Sequence, residues 1–190
     1  IEVQRGCVRG CRFCQAGYLY RPARERSVAD CLDIAERGIA FSGHEEVSLL
    51  SLSTADHSQA EALVGRLSAV LAERGVSVAL PSLRADAFSV DLANAVSRVR
   101  KSGFTFAPEA GSERLRRVIN KGLTEEEILA AVERAMALGW QGVKLYLMIG
   151  HPTETMADFE ELAALVGKIR VILRRHRGRR HVSLSISPFV

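Results

Sequence analysis

Apolar and polar positions along the chain alternate between two periods. Ile1 and Val3 share one side of a short extended run, Ile1 to Arg5, and a period of two predicts a strand. EVSLLSLS (Glu46 to Ser53) and VSVALPS (Val76 to Ser82) predict the second and third strands. Phe104 to Ala107, VKLYLMI (Val143 to Ile149) and His181 to Ser187 predict the fourth to sixth. Between them the period lengthens to that of a helix. A loop rich in Gly, Arg and Cys runs to about Arg26, and Ser27 with Asp30 then marks a capped helix start. Asp56 and Gln59 open a second helix that ends near Arg74, and Ser89 to Lys101 is a third. Helical sequence returns from about Gly111 to Asn120, breaks at Gly122 and restarts at Thr124, with Glu127 as capping partner. The last helix carries Phe159, Leu162, Val166, Ile169 and Leu173 at helical spacing, which predicts one buried face.

Six strands alternating with helices of this length predict an α/β fold of parallel βαβ units. An open doubly wound sheet and a partial or complete barrel both satisfy that rhythm. In either, the chemistry sits beyond the C-terminal ends of the strands. On the fifth strand Lys144, Tyr146 and Met148 share one face, while Val143, Leu145, Leu147 and Ile149 take the other. The apolar set is expected to pack against helices and the mixed set to face the interior of the sheet's curve.

Composition narrows the class. The 190 residues, 47% of them hydrophobic, fit one domain with a substantial core, residues 1–190. A net charge of +4 permits an anionic partner without requiring one. No apolar run reaches the ~20 residues that span a bilayer, and no secretory signal is visible. A cytoplasmic location without membrane association is therefore expected. The chain opens at Ile1 directly into strand-like sequence, which reads as part of a longer protein with neighbouring domains.

Cysteine placement changes the picture most. Of the four cysteines, Cys7, Cys11 and Cys14 crowd into C-x3-C-x2-C (CVRGCRFC) at the end of the first strand. Three so close cannot all pair with one another, which favours a reducing compartment and a metal site. Thiolates suit iron–sulfur clusters and zinc. Gly6 and Gly10 let so short a loop fold around a compact group. Three ligands leave one iron of a four-iron cube open to a further ligand. Zinc would want a fourth donor, with Cys31, His44 or His57 as candidates. Cys31 lies on the apolar face of a helix with Val28, Leu32 and Ala35, and so reads as core.

The C-x3-C-x2-C loop with Phe13 before its last cysteine resembles the hallmark of the radical S-adenosylmethionine superfamily. Gly150-His151-Pro152-Thr153-Glu154-Thr155 resembles that family's G-x-P-x-E-T turn. EAGSERLRRVINKG, Glu109 to Gly122, resembles its fourth strand end and following helix. Among its members, RGCRFCQAGYLYRPARERS, LLSLST, LPSLRAD, FAPEAGSERLR and KLYLMIGHPTET are most similar to a group with a cobalamin-binding domain ahead of the radical core. The resemblance implies a partial (β/α)6 TIM-like barrel with parallel strands, and a cobalamin domain and a C-terminal extension outside these residues.

Residue by residue, the resemblance implies that Cys7, Cys11 and Cys14 ligate a 4Fe–4S cluster whose fourth iron is chelated by S-adenosylmethionine. One electron through the cluster then generates a 5′-deoxyadenosyl radical, which takes hydrogen from a substrate. Ser53 and Thr54 would face the methionine amine, Arg84 and Lys121 the methionine carboxylate, and Glu109 the ribose hydroxyls. The backbone near Met148 would bind adenine, and Phe13 would pack on the cluster or the adenine. Tyr146 stands where relatives often place an acidic residue. Tyr18 and Tyr20 read as loop packing. The substrate is open; an electron donor such as flavodoxin or ferredoxin is expected, and cobalamin is a cofactor that a further domain would bring. Two other readings stand beside this one: a tRNA or ribosomal-protein methylthiotransferase core, and a zinc-stabilised RNA-binding module. The arginine-rich stretch Arg170 to Arg180 reads as a solvated helix end that suits the dipole rather than as an RNA surface, since no base-stacking aromatics accompany it.

Overall fold

The structure is a computed structural model that describes residues 1–79 and 103–190. They fall into two compact units: residues 1–9 and 15–79 make the first, and residues 10–14 and 103–190 the second. The third predicted helix and Arg84 lie outside the described residues.

In the first unit, β1 (Gln4–Arg5) is followed by α1 (Ala16–Leu19), β2 (Arg24–Glu25) and α2 (Val28–Ser42). β3 (Glu46–Ser48), a 3-10 turn at Thr54–Asp56, α3 (Ala60–Ala72) and β4 (Ser77–Ala79) complete it. Ser27 caps α2 as its sequence predicts: its hydroxyl accepts from the Asp30 amide at 3.1 Å and donates to the Asp30 carboxylate at 2.7 Å. Val28, Cys31 and Ala35 form the helix's buried stripe. β3 and β4 pair in parallel, Val47 opposite Val78, with α3 as their crossover. Leu63, Val64, Leu67 and Leu71 are fully buried on α3, each contributing roughly 1.5–3 kcal/mol of burial. A parallel bridge joins Glu2 to Leu50.

Two expectations are corrected here. The stretch read as one loop up to Arg26 contains α1 and β2, and β2 pairs antiparallel with β1. Two-residue strands are too short for any period to show, and this pair departs from the all-parallel expectation. The helix expected to open at Asp56 and Gln59 begins at Ala60, with Gln59 at its N-cap position but making no side-chain cap bond; Asp56 lies in the preceding 3-10 turn and binds Arg9.

The second unit is a three-stranded parallel sheet in the order β5-β6-β7 (Gly103–Glu109, Gly142–Ile149, His181–Pro188). It carries α4 (Glu113–Val118), α5 (Glu125–Ala137) and α6 (Met156–Arg175). On β6, Val143, Leu145 and Leu147 are buried while Lys144 and Met148 are half-buried and Tyr146 is exposed, the expected alternation as far as Met148; Ile149, expected to pack with the apolar set, is exposed at the strand's end. Thr124 and Glu127 form the expected reciprocal cap of α5, at 3.2 and 2.8 Å. Ile128, Ala131, Val132, Ala135 and Met136 form its buried face. On α6 the buried stripe runs through Leu165, Ile169, Ile172 and Leu173, and Phe159, Leu162 and Val166 are only half-buried at its edge.

Gly111 stays outside α4, which starts after the Ser112 cap. A Cβ on Gly111 would lie 2.3 Å from Leu162 Cβ and 2.8 Å from Asp158 O, so only glycine lets this turn meet α6. Among the described residues the sheets are partial and no closed barrel forms, and no helix is long and apolar enough to cross a membrane.

Candidate functional site

The cysteine motif is divided between the units, Cys7 in the first and Cys11 and Cys14 in the second. In the first unit, Gly6 (φ +88°) supports the loop, because a Cβ there would meet Tyr20 O at 2.3 Å. The Cys7 amide donates to Tyr20 O at 3.2 Å, and Cys7 Sγ accepts from the Arg9 amide at 3.4 Å. Two arginines hold the loop. Arg9 grips the Asp56 carboxylate with both arms, at 2.9 and 2.5 Å. Arg21 donates to Gly17 O, and to Val8 O at 3.2 Å. Ser53 is buried and its hydroxyl has no partner, whereas Thr54 Oγ1 shares a 2.6 Å bond with Ser51. Tyr18 and Tyr20 are exposed.

In the second unit, a turn closes when the Cys14 amide donates to Cys11 O at 3.1 Å. Arg12 N donates to Ile119 O at 2.9 Å and Asn120 Nδ2 to Gly10 O at 2.7 Å, docking this turn on the end of α4. Cys11 is buried and Cys14 half-buried. Phe13 packs against Ala110, Leu115 and Ile119.

Glu109 and Lys121, twelve residues apart, meet: Lys121 Nζ lies 3.1 Å from Glu109 Oε1, with both side chains largely enclosed. The ammonium also stands 5.8 Å from the centre of the Phe13 ring. Glu109 ends β5 with φ +67°, a left-handed backbone that costs a side-chain-bearing residue about 1–3 kcal/mol. Its carbonyl faces His151 Nε2 at 3.3 Å. His151 is buried, its Nδ1 has no partner, and its ring centroid is 5.1 Å from that of Phe189. In the same turn, Glu154 accepts from the Gly150 amide at 2.5 Å. Tyr146 is 37% exposed, with Lys144 Nζ 4.8 Å from its ring centre.

Two groups that sequence reasoning passed over brace this region. Arg116 is 1% exposed and donates to Leu123 O at 2.8 Å, Ala110 O at 3.1 Å and Gly111 O at 2.8 Å. Desolvation lowers its pKa, opposed by nearby carboxylates. Asp158 is buried, and burial alone would raise its pKa. Bonds from Arg114 (2.6 Å), Ser112 and Thr155 overcome that and hold it well below the usual carboxylate range. Helical spacing gave no signal for either group, because a polar residue on a helix reads as surface.

Of the other zinc candidates, His57 has both ring nitrogens engaged, with Arg26 O at 3.1 Å and the Gln59 amide at 3.0 Å. Cys31 is 0% exposed and burial raises its thiol pKa, as a core thiol requires. The basic stretch places Arg174 and Arg175 in the last turn of α6, while Arg180 is bonded to Trp140 O.

The donor chemistry suits a thiolate-bound group: Cys7, Cys11 and Cys14 are all free thiols. Among the described residues no three His, Cys, Asp or Glu side chains converge as a single-ion site does.

The chain is 37% identical over all 190 residues to the uncharacterised protein MJ0966 of Methanocaldococcus jannaschii, covering 40% of that protein's length. It is 28% identical over 177 residues to a tRNA-2-methylthio-N(6)-dimethylallyladenosine synthase of Thermotoga petrophila, covering 88% of this chain and 40% of that one. The chain thus spans about two-fifths of the curated relatives it matches. Its fold matches the radical S-adenosylmethionine methyltransferase TsrM of Kitasatospora setae, solved with cobalamin and a 4Fe–4S cluster, at TM-score 0.74 and 16% identity, over 98% of this chain and 36% of that one. It also matches the cobalamin-dependent radical enzyme OxsB, at TM-score 0.72 and 16% identity, over 95% of this chain and 31% of that one. The family model of the Radical SAM superfamily matches residues 1–166. With that match across the cysteine loop, the Glu109–Gly122 segment and the Gly150–Thr155 turn, the chain belongs to the Radical SAM superfamily, a superfamily of enzymes.

Proposed function

We propose that this chain is the catalytic core of an enzyme that cleaves S-adenosylmethionine reductively, with Cys7, Cys11 and Cys14 as ligands of a 4Fe–4S cluster, in a partial barrel of six parallel βα units. The observation that carries the reading is the cysteine loop: three free thiols, one accepting a backbone amide at 3.4 Å, with the Cys11–Cys14 turn docked on α4. Cys7, Cys11 and Cys14 would hold the cluster, which when bound would supply the one electron for cleavage of S-adenosylmethionine to methionine and a 5′-deoxyadenosyl radical.

The chain's own residues bind and orient. Lys121 offers a cation to the methionine carboxylate, but as a point charge without a fork. Glu109 offers two acceptor oxygens to the ribose hydroxyls. In the absence of ligand the two neutralise one another, so cofactor binding exchanges one internal ion pair for two contacts to the ligand. Ser53, with a buried hydroxyl lacking a partner, and Thr54 are the groups for the methionine amine. Arg84, which lies outside the described residues, is a second cation proposed for the carboxylate. Phe13 shields the site from water, and the backbone near Met148, with Tyr146 on the same strand face, lines the adenine. A flavodoxin or ferredoxin is the expected electron donor. Cobalamin, bound by the relatives TsrM and OxsB, would be held by another part of the whole protein.

Anaerobic reconstitution tests the reading. About four irons per chain are expected, and S-adenosylmethionine with a strong reductant should release 5′-deoxyadenosine. Cys11→Ala should lose both, while Cys31→Ala keeps the iron. Reconstituted protein that holds only zinc, or C11A with full iron and activity, would sink the assignment.

A further inference from the structure

We propose that His151 is a positioning residue: it holds the Glu109 backbone in its left-handed bend and thereby sets the carboxylate that reads the ribose. The inference rests on the proposed role of Glu109 and adds a residue for which the G-x-P-x-E-T pattern requires no particular identity. A carbonyl oxygen can only accept, so the 3.3 Å contact to Glu109 O requires the proton on His151 Nε2. Nδ1 is buried without a partner. The imidazole's polar contact among the described residues is therefore spent on one backbone atom of Glu109. The ring is kept in place from the other side by Phe189, whose amide is tied to Ile149 O at 2.8 Å.

Glu109 needs such a hold. It has φ +67°, and the β5–β6 register slips between Phe106 and Glu109, so the regular ladder does not impose its backbone angle. Its side chain is drawn to Lys121. Fixing the carboxylate at one end and the carbonyl at the other leaves the bend over-determined, as a strained residue at a binding site must be. Loss of the His151 contact frees the carbonyl end, and the carboxylate then samples positions that miss the ribose.

The experiment has two arms, both on the intact chain. The first needs no cofactor. At a left-handed position glycine is more stable than alanine, so Glu109→Gly should melt above Glu109→Ala. In a His151→Phe background, which keeps a ring against Phe189, that gap should close. The second arm measures affinity for S-adenosylhomocysteine and its 2′-deoxyribose analogue by calorimetry on reconstituted protein. H151F should weaken S-adenosylhomocysteine roughly tenfold and flatten its advantage over the deoxy analogue. His151→Gln, whose amide can donate to the same carbonyl, should restore part of both. A glycine–alanine gap that persists in H151F overturns the positioning role. A gap that closes while ribose discrimination stays intact upholds the positioning role and sinks the ribose role of Glu109.

Discussion

Gly111→Ala is a demanding test of how the Glu109–Gly122 segment is built. The new methyl would stand 2.3 Å from Leu162 Cβ, 2.8 Å from Asp158 O and 2.9 Å from Leu162 Cα. Carbon atoms at rest lie about 3.5–4.0 Å apart, so α6 must retreat by more than an ångström. Two of the three atoms are backbone or Cα, and no rotamer change removes them. The retreat is opposed by the bonds of Ser112 and Arg114 to Asp158 and by the burial of Leu165 and Ile169. Overpacking costs typically 1–3 kcal/mol, and a backbone clash belongs at the upper end. At about 3 kcal/mol the melting temperature falls by roughly 6–12 °C for a chain of this size. Gly167→Ala on the same helix is the control, because a Cβ there meets nothing within 4 Å. It removes a helix-interior glycine and should raise stability by roughly 0.5–1 kcal/mol. Thermal unfolding followed by circular dichroism reads both. A melting temperature for G111A within a degree or two of the parent, or a shift upward like that of G167A, would refute the reasoning.

Two further outcomes follow from the same region. Arg116→Met strands the carbonyls of Ala110, Gly111 and Leu123 in a buried site; denaturant unfolding should show a loss of about 3 kcal/mol or more, and R116K should recover only part of it because an ammonium lacks the planar fork. Asp158 has its pKa lowered in the folded state by its bonds to Arg114, Ser112 and Thr155. Its stabilisation is therefore fully present above the unfolded carboxylate value, about 4, and is lost as pH falls below it towards the folded value. Asp158→Asn should accordingly be less stable than the parent at pH 6 and approach it as the pH drops below 4, in urea titrations at both pH values; a gap that does not change with pH would contradict the assignment.

The features legible in advance were local ones. The Ser27–Asp30 and Thr124–Glu127 caps span three residues, and a helix start needs nothing from the rest of the chain. The alternation on β6 was equally readable, because strand geometry alone sends Val143, Leu145 and Leu147 to one face. The α6 stripe was read only in part, since which edge of a broad apolar face is covered depends on its neighbours; Leu165 and Ile172 were missed and Phe159 overrated. The β1–β2 pair escaped because two residues carry no period.

At the candidate site, sequence alone determined the donor set. C-x3-C-x2-C puts three thiols within one short loop whatever the fold around it. It also determined the family, since the matching segments are contiguous in the chain. Only the tertiary structure decided partnerships: Arg9 with Asp56, Ser112 with Asp158, His151 with the carbonyl of Glu109. Those residues are 42 to 47 positions apart. A charged or polar side chain takes whichever complementary group folding delivers within hydrogen-bond reach, and that delivery depends on βα crossovers no local pattern encodes.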